Sequence, residues 1–452
     1  MTLLNELSAE VCQRARMSRD PRFDGRFFVA VKTTGIFCRP ICPANLPKEE
    51  NVEYFSSQAL AVSAGYRPCL RCRPESAPHS WAWKGAETTF LRALTLIEKG
   101  ELDGSLETLA SRLGISDRYL RQLFQRHLGM PPKQYAQIQQ LMFAKQLLHT
   151  SQISITEVAY ASGFQSTRRF NDAFQKLFRL TPTQVRRERA ALPSRNHLSL
   201  AFRGPFDWAH MLDFYRLRAI EGMELVDEQS YQRHFVLGEG TGWFKASMAQ
   251  SHLDIEFEME RLSDLRHLVA RLRRMFDLDA DLISIEAHLE QLAPGLVRRT
   301  GIRIPGVWNA WEAGVRAVLG QQVSVKAAIG QLNLLVSTLA ASEGSTRYFP
   351  TPEQVQMSDL SFLRMPERRK ETLKRLADYV RLHPMDSPMA WLSLSGIGPW
   401  TVDYAQLRGE SRSHCFLTGD LIVKKALAKF PQLTAESVAP WGSYATFHCW
   451  SH

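Results

Sequence analysis

No window of the 452-residue chain holds twenty consecutive uncharged apolar residues, which argues against a helical membrane span. The stretch from Met1 to Asp20 has no apolar core of the kind that directs secretion. No low-complexity tract stands out. Negative charge is in deficit: 46 Asp and Glu face 56 Lys and Arg, a formal net charge of +10. That imbalance suits a polyanionic partner, although by itself it does not separate nucleic acid from an anionic membrane surface. Cysteine is scarce too. The seven present are an odd count and four of them cluster, which suits metal binding in a reducing cytoplasm better than disulfides. A hydrophobic content of 44% and a charged content of 23% are those of an ordinary globular protein, long enough for about three to four domains.

Along the chain the patterning changes three times. Residues 1–75 are short-segmented, turn-rich and cysteine-bearing, and Ser76-Ala-Pro-His-Ser80 reads as a linker. From Glu87 to Arg189 apolar residues recur at spacings of three and four, the helical period, before a second linker at Leu192-Pro-Ser-Arg-Asn196. The period then becomes two. Leu198, Leu200 and Phe202 alternate with other residues, and Leu253, Ile255, Phe257 and Met259 alternate with Asp254, Glu256 and Glu258. This predicts half-buried strands, with a turn at Gly238-Glu-Gly-Thr-Gly242. From about 285 the helical period returns.

Cys38-x3-Cys42 and Cys69-x2-Cys72, 26 residues apart, have the spacing of a four-sulfur tetrahedral Zn2+ site. A purely structural zinc module would explain the spacing alone. Lys32, Arg39, Arg67, Arg71 and Arg73 lie within a few residues of the thiols, so a phosphate could dock beside the metal. The runs Thr33-Thr-Gly-Ile-Phe-Cys-Arg-Pro40 and Arg67-Pro-Cys-Leu-Arg-Cys72 closely resemble the N-terminal domain of the Ada adaptive-response family. That resemblance implies that Cys38 accepts a methyl group from a methylated DNA phosphotriester, with Cys42, Cys69 and Cys72 completing the zinc site. A thiolate is the nucleophilic form of cysteine, and zinc ligation maintains it at neutral pH. Four thiolates on zinc carry a formal charge of −2. Methylating one leaves −1 and weakens repulsion from the DNA backbone, the basis for a damage-operated switch.

Leu106 to Phe124 is patterned as helix, glycine turn, helix, with Gly114 at the turn and Ser116 as N-cap of the second helix. The arrangement recurs over Ile155 to Phe170 with Gly163 and Ser166. Between Arg112 and Arg189, 13 Lys and Arg face 4 Asp and Glu, so most of the net charge sits here. A solvated basic bundle is the plainer account of that charge. Two such units about fifty residues apart resemble the AraC-type DNA-binding domain, whose recognition helices enter successive major grooves. Arg118, Arg121, Arg168 and Arg169 are the candidate DNA-facing side chains.

Leu394-Ser-Gly-Ile-Gly-Pro-Trp-Thr401 contains a Gly396-x-Gly398 hairpin of the kind that lets backbone N–H groups approach a phosphate, with Pro399 suited to the first turn of a helix. An ordinary helix–helix turn is the alternative. Phe416-Leu-Thr-Gly-Asp-Leu-Ile-Val-Lys-Lys425 follows about twenty residues later, and this order resembles the helix-hairpin-helix glycosylases. With Pro205-Phe-Asp-Trp208, Gly314-Val-Arg-Ala-Val-Leu-Gly-Gln321 and Trp441-Gly-Ser-Tyr444, the likeness sharpens to the AlkA-type 3-methyladenine glycosylases over about 197–452. It implies that Asp420 is the catalytic carboxylate, although a helix N-cap would explain an aspartate there equally. It also implies that Trp400, Tyr404 and Trp450 surround a flipped base. Such an aromatic box favours a cationic alkylated purine, whereas each ring alone reads as core. Trp400 stands where strand-nicking relatives carry a lysine, so a hydrolytic, monofunctional glycosylase is expected. Gln322 stands in place of a leucine wedge, and Leu421 in place of an aromatic. No Pro-Cys-His-Arg motif occurs, so the O6-methylguanine methyltransferase that ends Ada proteins is missing.

The expectation is therefore a multidomain α+β chain. It comprises a small four-cysteine zinc domain at 1–80, an all-α double helix-turn-helix domain at 85–190, a small β-sheet/α domain at 196–284 and an all-α helix-hairpin-helix glycosylase domain at 285–452. Its partners would be damaged and promoter double-stranded DNA and RNA polymerase, with no membrane, in a bacterial cytoplasm at the nucleoid. The alternative is a transcription regulator with a structural zinc site and a catalytically inactive DNA-binding C-terminal half.

Overall fold

In a computed structural model the described residues are 7–20, 23–72, 74, 81–98, 100, 102, 105–187, 196–339, 342–384 and 386–451. The linkers expected at 76–80 and 192–195, and Arg73, lie outside them. The chain forms two compact units, Met1–Gln139 and Gln140–His452.

The first unit begins with the helix Ala9–Met17, followed by a four-stranded sheet of order β3-β1-β2-β4, formed by β1 (Phe28–Val31), β2 (Ile36–Cys38), β3 (Val52–Phe55) and β4 (Arg67–Pro68). β1 runs antiparallel to both β2 and β3, while β4 lies parallel to β2. Alternation along β1 sends Val29 to one small cluster with Cys12, Ala15, Phe27 and Val52, and sends Phe28 and Ala30 to another with Phe37 and Ala61. Both clusters are thin, so this module leans on its cysteines. The helices Leu106–Arg112 and Asp117–Leu128 follow, joined through Gly114 at φ +68°. The Ser116 hydroxyl accepts the Tyr119 N–H, starting the second helix as the capping pattern predicts. Leu106, Leu109, Ala110, Leu120, Leu123 and Phe124 pack with Phe90, which leaves Arg118 and Arg121 exposed.

In the second unit the pair recurs as Ile155–Ala161 and Thr167–Phe178, with a Ser154–Glu157 capping box, Gly163 at φ +85° and Ser166 capping the second helix. Buried Phe170 and Phe174 fix its inner face, and Arg168 and Arg169 are exposed. An antiparallel five-stranded sheet of order β5-β9-β8-β7-β6 comes next: β5 (His197–Ala201), β6 (Glu224–Val226), β7 (Ser230–Leu237), β8 (Gly240–Met248) and β9 (His252–Met259). Leu198, Leu200, Leu253, Ile255 and Phe257 are buried, as the period of two requires. Phe202 lies one residue beyond β5. The helices Ile155–Ala161 and Thr167–Phe178 share one hydrophobic core with this sheet.

The rest of this unit is helical, apart from a short hairpin of Ser342–Glu343 with Thr346–Arg347 that the periodicity does not reveal. Glu224 and Arg233 of the sheet meet Glu312 and Arg316 of the helix Ala310–Gly320, all four side chains nearly fully buried. Two cations face two anions, so the group is neutral as a whole. Burial alone would raise the Glu312 carboxyl, but Arg233 and Arg316 reverse this and hold it below the usual carboxylate range. Among the described residues no helix is long and apolar enough to cross a membrane.

Candidate metal centre and base cavity

β2 ends at Cys38, and the Cys42 N–H donates to the Arg39 carbonyl, so the first cysteine pair closes in a turn. Parallel pairing of β4 with β2, continued by the Cys69 N–H donating to the Phe37 carbonyl, delivers the second pair alongside the first. The four Sγ atoms all lie within 4.8 Å of one another. That suits one ion at about 2.3 Å from each sulfur, and the all-thiolate donor set is that of zinc. The Arg39 backbone N–H donates to Cys72 Sγ at 3.4 Å. Cys38 itself is half-buried.

Of the cations expected to dock a phosphate here, Arg39 is already engaged. Its Nε donates to Asp24 at 2.8 Å, with a second Asp24 contact at Nη2, and Nη1 reaches the Cys72 carbonyl. Arg67 and Arg71 are exposed beside the thiols, and Lys32 lies 3.6 Å from Glu53.

In the second unit a cavity of about 400 Å3 brings together Asp420, Trp400, Tyr404 and Trp450. Asp420 caps the helix Leu421–Leu427, where its Oδ1 accepts the Ile422 and Val423 N–H groups at 2.9 and 3.2 Å. The same oxygen accepts the Trp450 indole N–H at 3.1 Å. Among the described residues no donor meets Oδ2, so capping leaves one carboxylate oxygen free. The capping and pocket readings of Asp420 are thus compatible. Trp400 and Tyr404, one turn apart on the helix Pro399–Glu410, stack at 5.3 Å between ring centroids.

The hairpin before that helix puts Gly396 at φ +93°, where a Cβ would meet Thr372 Oγ1 at 2.1 Å; only glycine fits. Gly398 is the N-cap and Pro399 the first helical residue. Gln321 Nε2 spans to the Gly396 carbonyl and the Thr401 hydroxyl, both at 3.2 Å, tying the loop that bears Gln322 to the hairpin. Gln322 is exposed in the left-handed region at φ +56°, and the next residue, Val323, lines the cavity. Leu421 is 68% exposed and does not line the cavity, whereas Ile422 does. No lysine lines it.

Sequence reasoning missed Phe214 and Arg218. Phe214 stacks near-parallel to Trp450 at 6.3 Å, and the Arg218 guanidinium lies 3.7 Å from the Phe214 ring centroid. Burial pulls the Arg218 guanidinium down to about 10. The signal available was an aromatic and an arginine four residues apart, directly after the Pro205-Phe-Asp-Trp208 run.

Three family descriptions match successive parts of the chain: "Metal binding domain of Ada" over residues 11–75, "Helix-turn-helix domain" over 109–188 and "AlkA N-terminal domain" over 197–309. A Mycobacterium tuberculosis protein, "Probable bifunctional transcriptional activator/DNA repair enzyme AlkA", is 34% identical across 98% of this chain and 96% of its own length. The chain belongs to this AlkA-type family. Two relatives match its parts. "DNA-3-methyladenine glycosylase 2" of Escherichia coli is 33% identical over 56% of this chain and 96% of its own. "Bifunctional transcriptional activator/DNA repair enzyme Ada" of Escherichia coli is 34% identical over 38% of this chain and 47% of its own. In this AlkA-type chain the matched AlkA segment carries Phe214 and Arg218, while Asp420 and the hairpin lie beyond it.

Proposed function

We propose that this chain senses and repairs alkylated double-stranded DNA through two chemistries carried on one polypeptide. The observation that carries the reading is the convergence of Asp420, Trp400, Tyr404 and Trp450 on one cavity, in a chain that also gathers four thiols.

Cys38 is the methyl acceptor. Its sulfur attacks the methyl carbon of a DNA methylphosphotriester, a new S–C bond forms, and the C–O bond breaks to leave the phosphodiester anion. Zinc bound to Cys38, Cys42, Cys69 and Cys72 supplies a sulfur kept in the thiolate form at neutral pH. The thioether is stable, so each chain accepts once. Arg118 and Arg121 on one recognition helix, and Arg168 and Arg169 on the other, meet promoter DNA, and activation proceeds through RNA polymerase at the nucleoid.

In the cavity an alkylated purine flips between the aromatic faces. The Asp420 carboxylate stabilises positive charge on the sugar or orients the attacking water as the glycosidic bond breaks. With Trp400 where a Schiff-base lysine would be needed, the reaction is hydrolysis without strand nicking. The Gly396–Gly398 hairpin receives a backbone phosphate, and Gln322 fills the vacated stack. The modules that do this are 1–80, 85–190, 196–284 and 285–452.

The second reading, a regulator with a structural zinc site and an inactive C-terminal half, rests on Asp420 as cap and Cys38 as plain ligand. Asparagine caps a helix about as well as aspartate. Asp420→Asn should therefore leave the melting temperature nearly unchanged and lower release of methylated purine from duplex DNA by about 100-fold or more. Equal release from both proteins, or none from wild type, removes the glycosylase reading. Mass spectrometry after exposure to methylated DNA should place one methyl group on Cys38. Transfer elsewhere, or none with zinc retained, favours the regulator.

A further inference from the structure

The second helix-turn-helix does not stand apart from the sheet that follows it. Val158, Ala159 and Ala161 of the helix Ile155–Ala161 are buried in the same core as Leu253, Ile255 and Phe257 of β9. That helix packs against the turn Leu262–Asp264, which leads directly into the helix Leu265–Met275. From this last helix Arg274 donates to the Trp308 carbonyl at 2.7 Å and to the Gly409 carbonyl. Gly409 belongs to the helix Pro399–Glu410, which carries Trp400 and Tyr404. An unbroken chain of packed elements thus joins the second recognition helix to the base cavity, inside the single compact unit Gln140–His452.

That recognition helix is strongly cationic. Along Thr167–Phe178 and its cap, Arg168, Arg169, Lys176 and Arg179 are exposed against one exposed acid, Asp172. Among the described residues no carboxylate lies within 4.0 Å of the Arg168 or Arg169 guanidinium. A compact body of about 310 residues has a radius of gyration of about 20 Å, so two sites on it lie at most about 50 Å apart, the length of about 15 base pairs. One duplex can meet both. We propose that the second helix-turn-helix is also the gripping arm of the glycosylase, holding phosphates of undamaged duplex beside the lesion whatever the promoter sequence. The proposal rests on the glycosylase reading above. A duplex already seated at the cavity offers its flank to the arm at an effective concentration of about 1 mM, against non-specific dissociation constants of about 10⁻⁴–10⁻⁶ M. The arm therefore tightens the hold on a lesion about tenfold or more.

The test follows single-turnover release of 7-methylguanine by the full-length, zinc-loaded protein from duplexes of arbitrary sequence. Lengthening the flanks from about 5 to about 25 base pairs on each side brings the arm's phosphates within reach. For wild type this should lower the half-saturating protein concentration about tenfold or more. In the double variant Arg168→Ala, Arg169→Ala that gain should shrink to less than about threefold. The pair Arg168→Lys, Arg169→Lys should retain it, because a lysine also holds a phosphate as a point charge. Melting temperatures of the three proteins should agree, since both side chains are exposed. No gain in wild type, an equal gain in the alanine pair, or a lysine pair as weak as the alanine pair each overturn the arm and leave the glycosylase standing. A wild type that releases no 7-methylguanine from any duplex overturns the glycosylase reading, and the arm with it.

Discussion

At Asp277 the backbone turns through φ +53°, a region aspartate and asparagine tolerate better than most side chains. Its carboxylate accepts the Tyr444 hydroxyl at 2.9 Å and the Ile304 N–H at 3.3 Å. Burial pushes its pKa up to about 7 despite these donors and Arg303. The native state therefore holds a proton that the unfolded chain gives up near pH 4. The contribution of this carboxyl to stability is greatest below about pH 4, falls as pH rises to about 7, and levels off above. Allowing for partial solvent contact, the ionised form costs on the order of 2 kcal/mol. Asp277→Asn keeps both hydrogen bonds and should flatten stability across that window, with a higher melting temperature than wild type at pH 8. Parallel pH profiles for the two proteins would show that Asp277 is ionised and solvated. Nothing in the sequence marks Asp277, because the burial that raises its pKa and its partner Tyr444, 167 positions later in the chain, are both set by tertiary packing.

The elements were legible where a local rule fixed them. Period two placed β5 and β9, and the serine caps and glycine turns placed both helix-turn-helix pairs, because capping and alternation act within a few residues. What escaped was set by distant contacts. The parallel pairing of β4 with β2 joins residues about thirty positions apart and converts cysteine spacing into one sulfur cluster. The same holds for the cavity: Asp420, Trp400, Tyr404 and Trp450 could be named from motifs, but Phe214 and Arg218 come from a different segment. The second recognition helix carries its own prediction. Phe170 and Phe174 are buried, so exchanging exposed Arg168 and Arg169 for alanine should leave folding intact. Each arginine that meets a phosphate should lower the dependence of log Kd on log salt by about one. An unchanged salt slope in the double variant would place both side chains off the DNA.

At the scale of the whole molecule, two features decide which parts fail together. Inside the second unit, Glu224, Arg233, Glu312 and Arg316 join the sheet to the helix Ala310–Gly320 as a neutral buried group. Glu312→Gln leaves two buried guanidinium groups sharing one carboxylate and should lower stability by about 3–5 kcal/mol. Because Arg316 also holds the Arg218 carbonyl, base release should drop with it. Between units the opposite is expected. The thiols and the cavity lie in separate compact units, and the clusters beside β1 contain only five and four buried residues. A structural zinc ion is worth about 10–16 kcal/mol to a small domain, far more than such clusters supply. Stripping zinc with a chelator should therefore abolish methyl acceptance and the hydrogen-exchange protection of Val29, Phe37 and Cys69, while base release stays within about twofold. If base release instead declined in step with zinc loss, the cavity would need the metal-bound fold, and the two chemistries could not be independent.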